Sequence, residues 1–259
     1  MCLLVVASRV LPGVPVLVGA NRDEFLTRPS TPVTVLREAS PRVIGGRDNQ
    51  AGGTWLALNE NGVFAGLTNQ PRPEGRDDSR RSRGALPLAL AQHFRAASAV
   101  EDLMARFDPA DYNGSWLLVG DRDDLYSVDF TESTGPRAVS LPPGIHALEN
   151  RPFDDHSAKA TYVRQSITTL SGDPTAATAT LSSVLADHHI ADPGRERPET
   201  SANCVHMEGY GTRSSCIVRV TASVEDRPRM WVADGPPCRS GFEEVSALWS
   251  RPALEHGPA

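Results

Sequence analysis

Two runs of residues near the start of the chain decide its fold: Met1-Cys2-Leu3-Leu4-Val5-Val6 and, further on, Ala20-Asn21-Arg22-Asp23-Glu24-Phe25. The stretch from Cys2 to Val10 is mostly apolar on both faces, which favours a strand that is covered on both sides. A turn signal at residues 12–15 separates it from the apolar run Val16–Ala20. An antiparallel hairpin of this length brings Arg22 and Asp23 back beside Cys2, with residues 21–23 already turning out of the strand.

Cys2 directly follows Met1. Loss of Met1 would give one residue both a thiol and a free α-amine, and an α-amine has a pKa near ~7.7–8.0. Such an amine can act as a base at neutral pH, and a nucleophile activated by its own N-terminal amine is a known catalytic arrangement. The structural alternative is that Cys2 is a small apolar residue at the start of a buried strand.

Composition narrows the function classes. The net charge of −6 disfavours a general nucleic-acid binder, because such proteins usually carry a basic surplus. No apolar run approaches the ~20 residues that are needed to span a bilayer, and no secretory leader pattern is present. We therefore expect a cytoplasmic protein without a membrane span, whose partner is a small molecule rather than a nucleic acid.

The cysteines and histidines indicate no cofactor by their spacing. The cysteines are Cys2, Cys204, Cys216 and Cys238. They form no Cys-x-x-Cys pair and no zinc-finger pattern, so we predict free thiols and no metal site. His188-His189 and His206 are available ligands, but solvated or helix-terminal positions also account for histidines of this kind.

A second hairpin and a pair of helices follow the first hairpin. The runs 54–58 and 63–68 flank Asn61-Gly62, the pair favoured in primed hairpin turns. Residues 71–83 are charged and rich in loop formers, which predicts a surface loop. Leu86, Leu90 and Phe94 recur every four residues, which predicts a helix over 85–97 with one apolar face. A second short helix is predicted over 99–107.

The remaining pattern completes the fold class. Strands are predicted at 115–120, 125–130, 138–141, 213–220, 229–233 and 241–246, and helices at 155–170, with Asp155 as N-cap, and at 176–188. Blocks of strands separated by pairs of helices favour an α+β protein, a four-layer αββα sandwich of antiparallel sheets. We predict a single domain over residues 1–250 and a frayed C-terminal tail over 251–259.

Seven short blocks resemble, in consistent order, the NRDE family, also called the transport-and-Golgi-organisation-2-like family. The blocks are Asn21-Arg22-Asp23-Glu24, Gly45-Gly46-Arg47-Asp48, Gly52-Gly53-Thr54-Trp55, Leu67-Thr68-Asn69, Ser82-Arg83-Gly84, Glu149-Asn150-Arg151-Pro152 and Gly211-Thr212-Arg213-Ser214-Ser215. Each block alone is weak evidence, whereas the ordered set is specific. The family is in turn similar to N-terminal-nucleophile hydrolases of the choloylglycine hydrolase and penicillin V acylase type, which have an αββα sandwich.

The resemblance implies a set of catalytic roles. Cys2 matches the nucleophile, and Asp23 matches the aspartate that holds the cysteine amine. Asn69 matches a side-chain donor of the oxyanion hole, and Asn150 matches the second asparagine of the site. Arg213 matches the arginine behind the nucleophile. Structural alternatives stand beside these roles, because asparagine is common next to turns and Asp23 could be the ion-pair partner of Arg213.

Arg22 is assigned to the site with one departure from the related hydrolases. The bile-salt-type enzymes have an arginine where this chain has Ala20, and the arginine here is Arg22. A shift of two residues keeps the same face of a strand, so Arg22 reaches the thiolate only if the strand continues through it. We include Arg22 among the predicted catalytic residues.

Two functions follow from this pattern. The first is a cysteine amidohydrolase or acyltransferase that acts on a small acyl amide or thioester without a cofactor. The second is a non-enzymatic carrier of haem, lipid or acyl-CoA that uses the same pocket, since relatives in the family have been linked to such traffic. A third reading is an interaction protein with a vestigial hydrolase site.

Overall fold

A computed structural model describes residues 2–72, 75–133, 135–153, 155, 157–167, 170 and 172–250. Its strands are β1 (Cys2–Leu11), β2 (Val14–Phe25), β3 (Ser30–Arg37), β4 (Val43–Asp48), β5 (Leu56–Asn59), β6 (Phe64–Asn69), β7 (Ser115–Gly120), β8 (Leu125–Thr131), β9 (Gly135–Ser140), β10 (Gly144–Leu148), β11 (His206–Met207), β12 (Tyr210–Val220), β13 (Arg229–Ala233) and β14 (Glu243–Glu244). Its α-helices are α1 (Ala85–Leu90), α2 (Ala96–Arg106), α3 (Ala158–Ser166) and α4 (Pro174–Leu185), and short 3-10 helices lie at Pro109–Asp111, Pro198–Ser201 and Ser246–Trp249.

The strands form two antiparallel sheets. The first sheet has the order β10-β1-β2-β12-β13-β14, with β11 paired to β12. The second sheet runs β3 to β9 in chain order, because each strand pairs with the next one along the chain. The N-terminal strand β1 therefore lies inside the first sheet, between β10 and β2, rather than at an edge.

Alternating side chains divide each sheet between two cores. In β1, Leu4 and Val6 pack in the core between the sheets, whereas Leu3 and Val5 pack against α3 and α4 on the outer face. The second sheet packs its outer face on α1 and α2. The period of two along the strands thus produces helices, sheet, sheet and helices in four layers. The predicted α+β, αββα sandwich is confirmed.

The first hairpin differs from the prediction at its far end. Strand β2 continues to Phe25 instead of ending at Ala20, so residues 21–23 do not turn away. Asn21 and Arg22 are paired with both β1 and β12, and residues 23–25 remain paired with β12. The neighbouring strands supply hydrogen bonds that the local sequence does not reveal, and Arg22 keeps the face that Ala20 has.

The Asn61-Gly62 hairpin exists, but its turn is not a primed one. Gly62 has a φ of +93°, while Arg9 is the only non-glycine residue with positive φ in the described part of the chain. The side chain of Asn59 shapes the turn instead, because its Oδ1 accepts from the backbone nitrogens of Asn61 at 2.9 Å and Val63 at 3.0 Å. These bonds add to the backbone bond in which Gly62 N–H donates to the carbonyl oxygen of Asn59 at 3.0 Å.

The first helix is shorter than predicted. Helix α1 ends at Leu90, and Phe94, predicted on its buried face, is 66% exposed. The buried amide of Asn59 donates to the carbonyl oxygens of Ala91 at 3.0 Å and His93 at 2.7 Å. These bonds hold the chain after Leu90 in a non-helical path.

Smaller differences concern the ends of the elements. The N-cap of α3 is Ser157, whose Oγ accepts from Ala160 nitrogen at 3.1 Å, and not Asp155. Helix α4 ends at Leu185 rather than near His188, and the predicted tail 251–259 lies outside the described residues. None of the helices in the described ranges is both long enough and apolar enough to cross a bilayer.

Candidate active site

Backbone pairing places Cys2 opposite Arg22. The β1–β2 register pairs the Cα atoms of Cys2 and Arg22, then those of Leu4 and Ala20. Directly opposed residues of an antiparallel pair share one face, and Leu4 and Ala20 belong to the core between the sheets. The register positions of Cys2 and Arg22 therefore lie on the face that is turned toward the second sheet.

Arg22 is a buried cation held by an aromatic ring. The residue is 4% exposed, and its Cζ lies 4.4 Å from the ring centroid of Trp55, the residue directly before β5 of the second sheet. Its Nη2 lies 3.7 Å from Glu24 Oε2. The guanidinium is thus oriented from the opposite sheet as well as from its own strand.

Asp23 lies on the opposite face of β2, toward the helices. The residue is 2% exposed, and Thr212 Oγ1 donates to its Oδ1 at 2.6 Å. Burial raises the pKa of Asp23 above its ordinary value, although the charges of Lys159 and Arg22 and the Thr212 hydrogen bond act in the opposite direction. A buried carboxyl of this kind gains most from a cation brought beside it.

Lys159 is the buried cation whose charge does most to lower the pKa of Asp23. The residue is 1% exposed, and its Nζ donates to the carbonyl oxygen of Thr200 at 3.4 Å. It lies on α3 four residues before Val163, which is fully buried. A lysine on the buried face of a helix usually has an electrostatic partner, and here its charge acts on Asp23.

A cavity of about 260 Å³ gathers three of the predicted residues. Arg22, Asp23 and Asn69 line this first cavity, together with Trp55. The rest of its wall carries many charges: Glu24, Arg28, Asp48, Arg76, Arg81 and Arg83. The segments 24–50 and 70–84 both contribute to this wall.

Two family blocks meet in the wall of the first cavity. Thr54 nitrogen donates to the carbonyl oxygen of Gly84 at 3.0 Å. A Cβ on Gly53 would lie 2.6 Å from backbone atoms of Gly84, so the two backbones approach closer than any side chain permits. Glycine is required there because the loop 76–84 rests directly on the strand entry at 53–55.

Asn69 and Asn150 line a second, adjoining cavity of about 430 Å³. Asn69 lines both cavities, as does Phe25, so the two cavities adjoin at these residues. Thr68 Oγ1 donates to the carbonyl oxygen of Glu149 at 2.9 Å, so the end of β6 is bonded to the segment that carries Asn150. The two predicted asparagines are brought together by this bond.

Arg213 lies on a bulge and lines a third cavity. The β2–β12 register pairs Asp23 with Thr212 and Arg22 with Ser214, so Arg213 is an extra residue of β12. It lines a cavity of about 190 Å³ together with His206, Tyr210 and Arg239. Tyr210 also lines the second cavity. Thr212, and not Arg213, is the residue that bonds the carboxylate of Asp23.

A further cavity of about 500 Å³ contains none of the six predicted residues. It lies between β8–β9 and the segment 145–153, and Trp116, Phe153 and His146 are among its lining residues. Its walls are more apolar than those of the first cavity. It is a separate space and not an extension of the site around Arg22.

Sequence reasoning missed three side chains at the site: Trp55, Lys159 and Thr212. Trp55 and Thr212 belong to the quoted family blocks, yet nothing local shows that Trp55 faces Arg22 across the sandwich. Lys159 had a usable signal, because it occupies the helical face of Val163 and Ile167.

The fold is that of known hydrolases. The structure is similar to that of the N-acylethanolamine-hydrolyzing acid amidase ortholog of Caenorhabditis elegans, with a TM-score of 0.58 and 12% sequence identity. The match covers 83% of this chain and 92% of the amidase chain. A variant of the conjugated bile acid hydrolase from Clostridium perfringens matches 95% of this chain and 92% of its own, with a TM-score of 0.55 and 11% identity. The molecule thus has the N-terminal-nucleophile hydrolase fold.

Sequence comparison defines the family. Residues 1–227 match the family model of Transport and Golgi organisation 2. The homologue from Homo sapiens is 29% identical over 233 residues, and that from Mus musculus is 27% identical over 237 residues; each match covers 80% of this chain and 82% of the relative. The chain belongs to the Transport and Golgi organisation 2 family, and the resemblance predicted from the blocks is confirmed.

Proposed function

We propose that this protein is a cysteine hydrolase or acyltransferase in which Cys2, after loss of Met1, attacks a small acyl amide or thioester. The observation that carries the proposal is the β1–β2 register, which sets Cys2 opposite Arg22 beside the cavity that Arg22, Asp23 and Asn69 line. A fold shared with an acid amidase and a conjugated bile acid hydrolase supports cleavage of an amide.

The reaction proceeds through an acyl-enzyme. The α-amine of Cys2 takes the proton of its own thiol, and the sulfur attacks the carbonyl carbon of the substrate. The bond from that carbon to the leaving nitrogen or sulfur then breaks, and the leaving group takes up the proton. Water, or a second acceptor nucleophile, attacks the thioester, releases the acyl product and restores the thiol.

Arg22 and Asn69 would supply the charge stabilisation. A cation opposite Cys2 favours the thiolate, and Arg22 is held for this role by Trp55. Asn69 presents a neutral amide at the junction of two cavities, where a donor can bond the oxyanion. Loss of one such donor costs ~10²–10³ in rate in other hydrolases.

Asp23 would hold the amine of Cys2. It follows Arg22 on β2, on the side of Cys2 from which Met1 is removed. Its burial disfavours a lone carboxylate, so a cationic amine beside it stabilises both groups. Asn150 and Arg213 would act at the rim, where they line the adjoining cavities.

The lining of the first cavity favours a polar, anionic substrate. Its wall contains five arginines, Arg22, Arg28, Arg76, Arg81 and Arg83, against three acids, Asp23, Glu24 and Asp48. Arg28 Nη2 is paired with Asp48 at 2.7 Å, and Arg76 and Arg81 are paired with Asp78 and Asp111, two acids outside the lining, at 3.0 and 3.8 Å. The lining is thus rich in guanidinium groups, which can bond an anionic group of a substrate. We therefore expect carboxylate-bearing or phosphate-bearing acyl compounds to react faster than neutral fatty amides of equal length.

Intact-mass analysis after exposure to an electrophilic acyl probe tests the proposal. We expect a chain without Met1 that carries one adduct, and loss of that adduct in Cys2→Ala. Cys216→Ala is the control, because Cys216 is a free thiol of the same chain that lies outside the lining of the first cavity, and its loss should leave the Cys2 adduct in place. A chain that retains Met1 cannot use the Cys2 amine and would end the proposal.

The carrier of haem, lipid or acyl-CoA is the alternative. The charged wall of the first cavity suits a polar substrate better than a haem macrocycle or an acyl chain. A haem titration followed at the Soret band separates the two functions. A saturable shift that one His, Cys or Tyr substitution abolishes would favour the carrier, and a flat titration would favour the hydrolase.

A further inference from the structure

Two histidines and two cysteines converge at a place that the proposed reaction does not use. His188 follows the end of α4, His206 begins β11 with Cys204 two residues before it, and Cys238 lies in the turn after β13. Each of the four residues offers one potential ligand atom, and these four atoms all lie within 4.8 Å of one another. Three segments that are distant in sequence thus present metal-binding atoms to one point.

The distances within the cluster are those of a coordination tetrahedron. Cys204 Sγ lies 3.7 Å from Cys238 Sγ, and His206 Nε2 lies 3.2 Å from Cys238 Sγ and 3.6 Å from Cys204 Sγ. A tetrahedral zinc ion with Zn–S near ~2.3 Å and Zn–N near ~2.0 Å sets sulfur–sulfur edges of about 3.8 Å and nitrogen–sulfur edges of about 3.5 Å. The three observed edges agree with this geometry to within a few tenths of an ångström.

His188 completes the set in a defined tautomer. Its Nδ1 lies 3.1 Å from the carbonyl oxygen of Cys204, and a carbonyl can only accept, so Nδ1 carries the proton. The lone pair is therefore on Nε2. A metal-bound imidazole usually donates its other ring N–H to an acceptor such as a backbone carbonyl, as Nδ1 of His188 does here. The ring centroid of His188 lies 5.0 Å from that of His206.

The donor set selects the metal and the type of site. Two thiolates and two neutral imidazoles together neutralise the charge of a divalent ion, and this Cys₂His₂ set with four protein ligands is characteristic of structural zinc. A disulfide is the rival explanation, since the cluster contains two thiols. The sulfurs are 3.7 Å apart, against ~2.05 Å in a disulfide, and both cysteines are free.

We propose that His188, Cys204, His206 and Cys238 bind one zinc ion in a closed, structural site. The ion ties the chain after α4, the start of β11 and the turn after β13 to each other. Its effect reaches the candidate active site through one residue. Val205, between two of the ligands, donates its backbone N–H to Thr212 Oγ1 at 2.9 Å, and the same oxygen donates to Asp23.

Metal analysis of the full chain, purified under a reductant, tests the site. We expect one zinc per chain, and we expect apo-protein titrated with Co²⁺ to show the intense ligand-field bands and thiolate charge-transfer band of tetrahedral cobalt. Cys238→Ser and His206→Ala should weaken zinc binding by at least the ~10–100-fold that loss of an outer contact costs elsewhere. Cys216→Ala and His189→Ala are matched controls, because each removes the same residue type outside the cluster.

The wild-type measurements keep the proposal testable if a variant fails to fold. A chain without zinc whose Co²⁺ spectrum is octahedral overturns it. An intact mass two hydrogens below the reduced value, with Cys204 joined to Cys238 in the peptide map, shows a disulfide instead and also overturns it. Zinc that stays bound at equal strength in Cys238→Ser and His206→Ala shows adventitious binding and overturns it as well.

Discussion

The Cζ atom of Arg22 lies 4.4 Å from the ring centroid of Trp55, and this contact bridges the two layers of strands beside the register position of Cys2. The cation belongs to the sheet of Cys2, and the ring belongs to the residue directly before β5 of the opposite sheet. Since a buried guanidinium on a tryptophan face gains about 0.5–2 kcal/mol, the ring fixes the side chain that lies opposite the proposed nucleophile.

Trp55→Leu tests this contact. We expect the pH profile of Cys2 alkylation to shift to higher pH and kcat/KM on a reactive acyl substrate to fall ~2–30-fold, the equivalent of the contact energy. Trp231→Leu is the control, because Arg219 and Arg229 stack on Trp231 at 5.1 and 5.3 Å, in contacts away from the cavity. Equal effects of the two substitutions on the alkylation profile would contradict the assigned role.

Gly53→Ala tests the close approach of the two family blocks. The added Cβ would meet Gly84 backbone atoms at 2.6 Å, so either the loop or the strand entry must move. Overpacking of this kind costs about 1–3 kcal/mol in the free energy of unfolding, which urea denaturation measures. Gly241→Ala, where no atom lies within 4 Å of the new Cβ, should leave the midpoint unchanged. A neutral Gly53→Ala would show that the loop is not seated there.

Asp23 and Asp48 should give opposite pH dependences, although they line the same cavity. The pKa of Asp23 is raised above its ordinary value of 3.8, with burial as the cause. The folded state therefore binds this proton more tightly, and the stability from Asp23 is present below pH 3.8 and is lost as the pH rises through the folded pKa. As the pH rises above 3.8, the free energy of unfolding of Asp23→Asn should increase relative to that of the wild type.

Asp48 carries the reverse sign. Burial acts to raise its pKa, but the hydrogen bonds from Arg28 and the backbone nitrogens of Ala51 and Gln50 outweigh it and lower the pKa below 3.8. Its stabilising effect is present above pH 3.8 and is lost as the pH falls through the folded pKa. Asp48→Asn should be less stable than the wild type at pH 7 and approach it in acid. Parallel pH curves for the two variants would refute the assignment.

Thr212→Val tests the link between the metal cluster and the candidate active site. The variant keeps the shape of the side chain but loses two hydrogen bonds, from Val205 and to Asp23. A buried polar group left without its partner costs about 1–3 kcal/mol, so we expect a lower melting temperature and slower acylation with zinc content unchanged. Thr221→Val, at an exposed hydrogen bond, is the control. Unchanged acylation in Thr212→Val would separate the two sites.

The fold could be predicted from the sequence because its signals are local. The hairpins at Cys2–Phe25 and Leu56–Asn69 are marked by alternating or apolar runs and by Gly-rich turns, and the layers follow from the order of strands and helices. The ends of elements were less accessible, since tertiary bonds set them. The side chain of Asn59, more than thirty residues earlier in the chain, ends α1 by bonding the carbonyl oxygen of Ala91. Pairing with two neighbouring strands extends β2 through Arg22.

The candidate site was accessible from the sequence only in part. Family blocks pointed to Arg22, Asp23 and Asn69, which line one cavity, whereas Arg213 lies in another because a bulge displaces it from the register. The His188–Cys238 cluster was missed because its four ligands come from segments with no repeated spacing. Tertiary packing alone brings them within 4.8 Å.

The bulge at Arg213 makes β12 unequally tolerant of changes in chain length. Below the bulge, Cys216 and Val218 face the core between the sheets, while above it Thr212 faces the helices beside Asp23. Each half therefore follows its own alternation, and Arg213 is the residue that belongs to neither. Deletion of Arg213 would place Thr212 directly before Ser214, still opposite Asp23 and Arg22, so both halves would keep their faces. Deletion of Cys216 would instead shift the residues between that position and the bulge by one place and turn their side chains to the other face of the sheet.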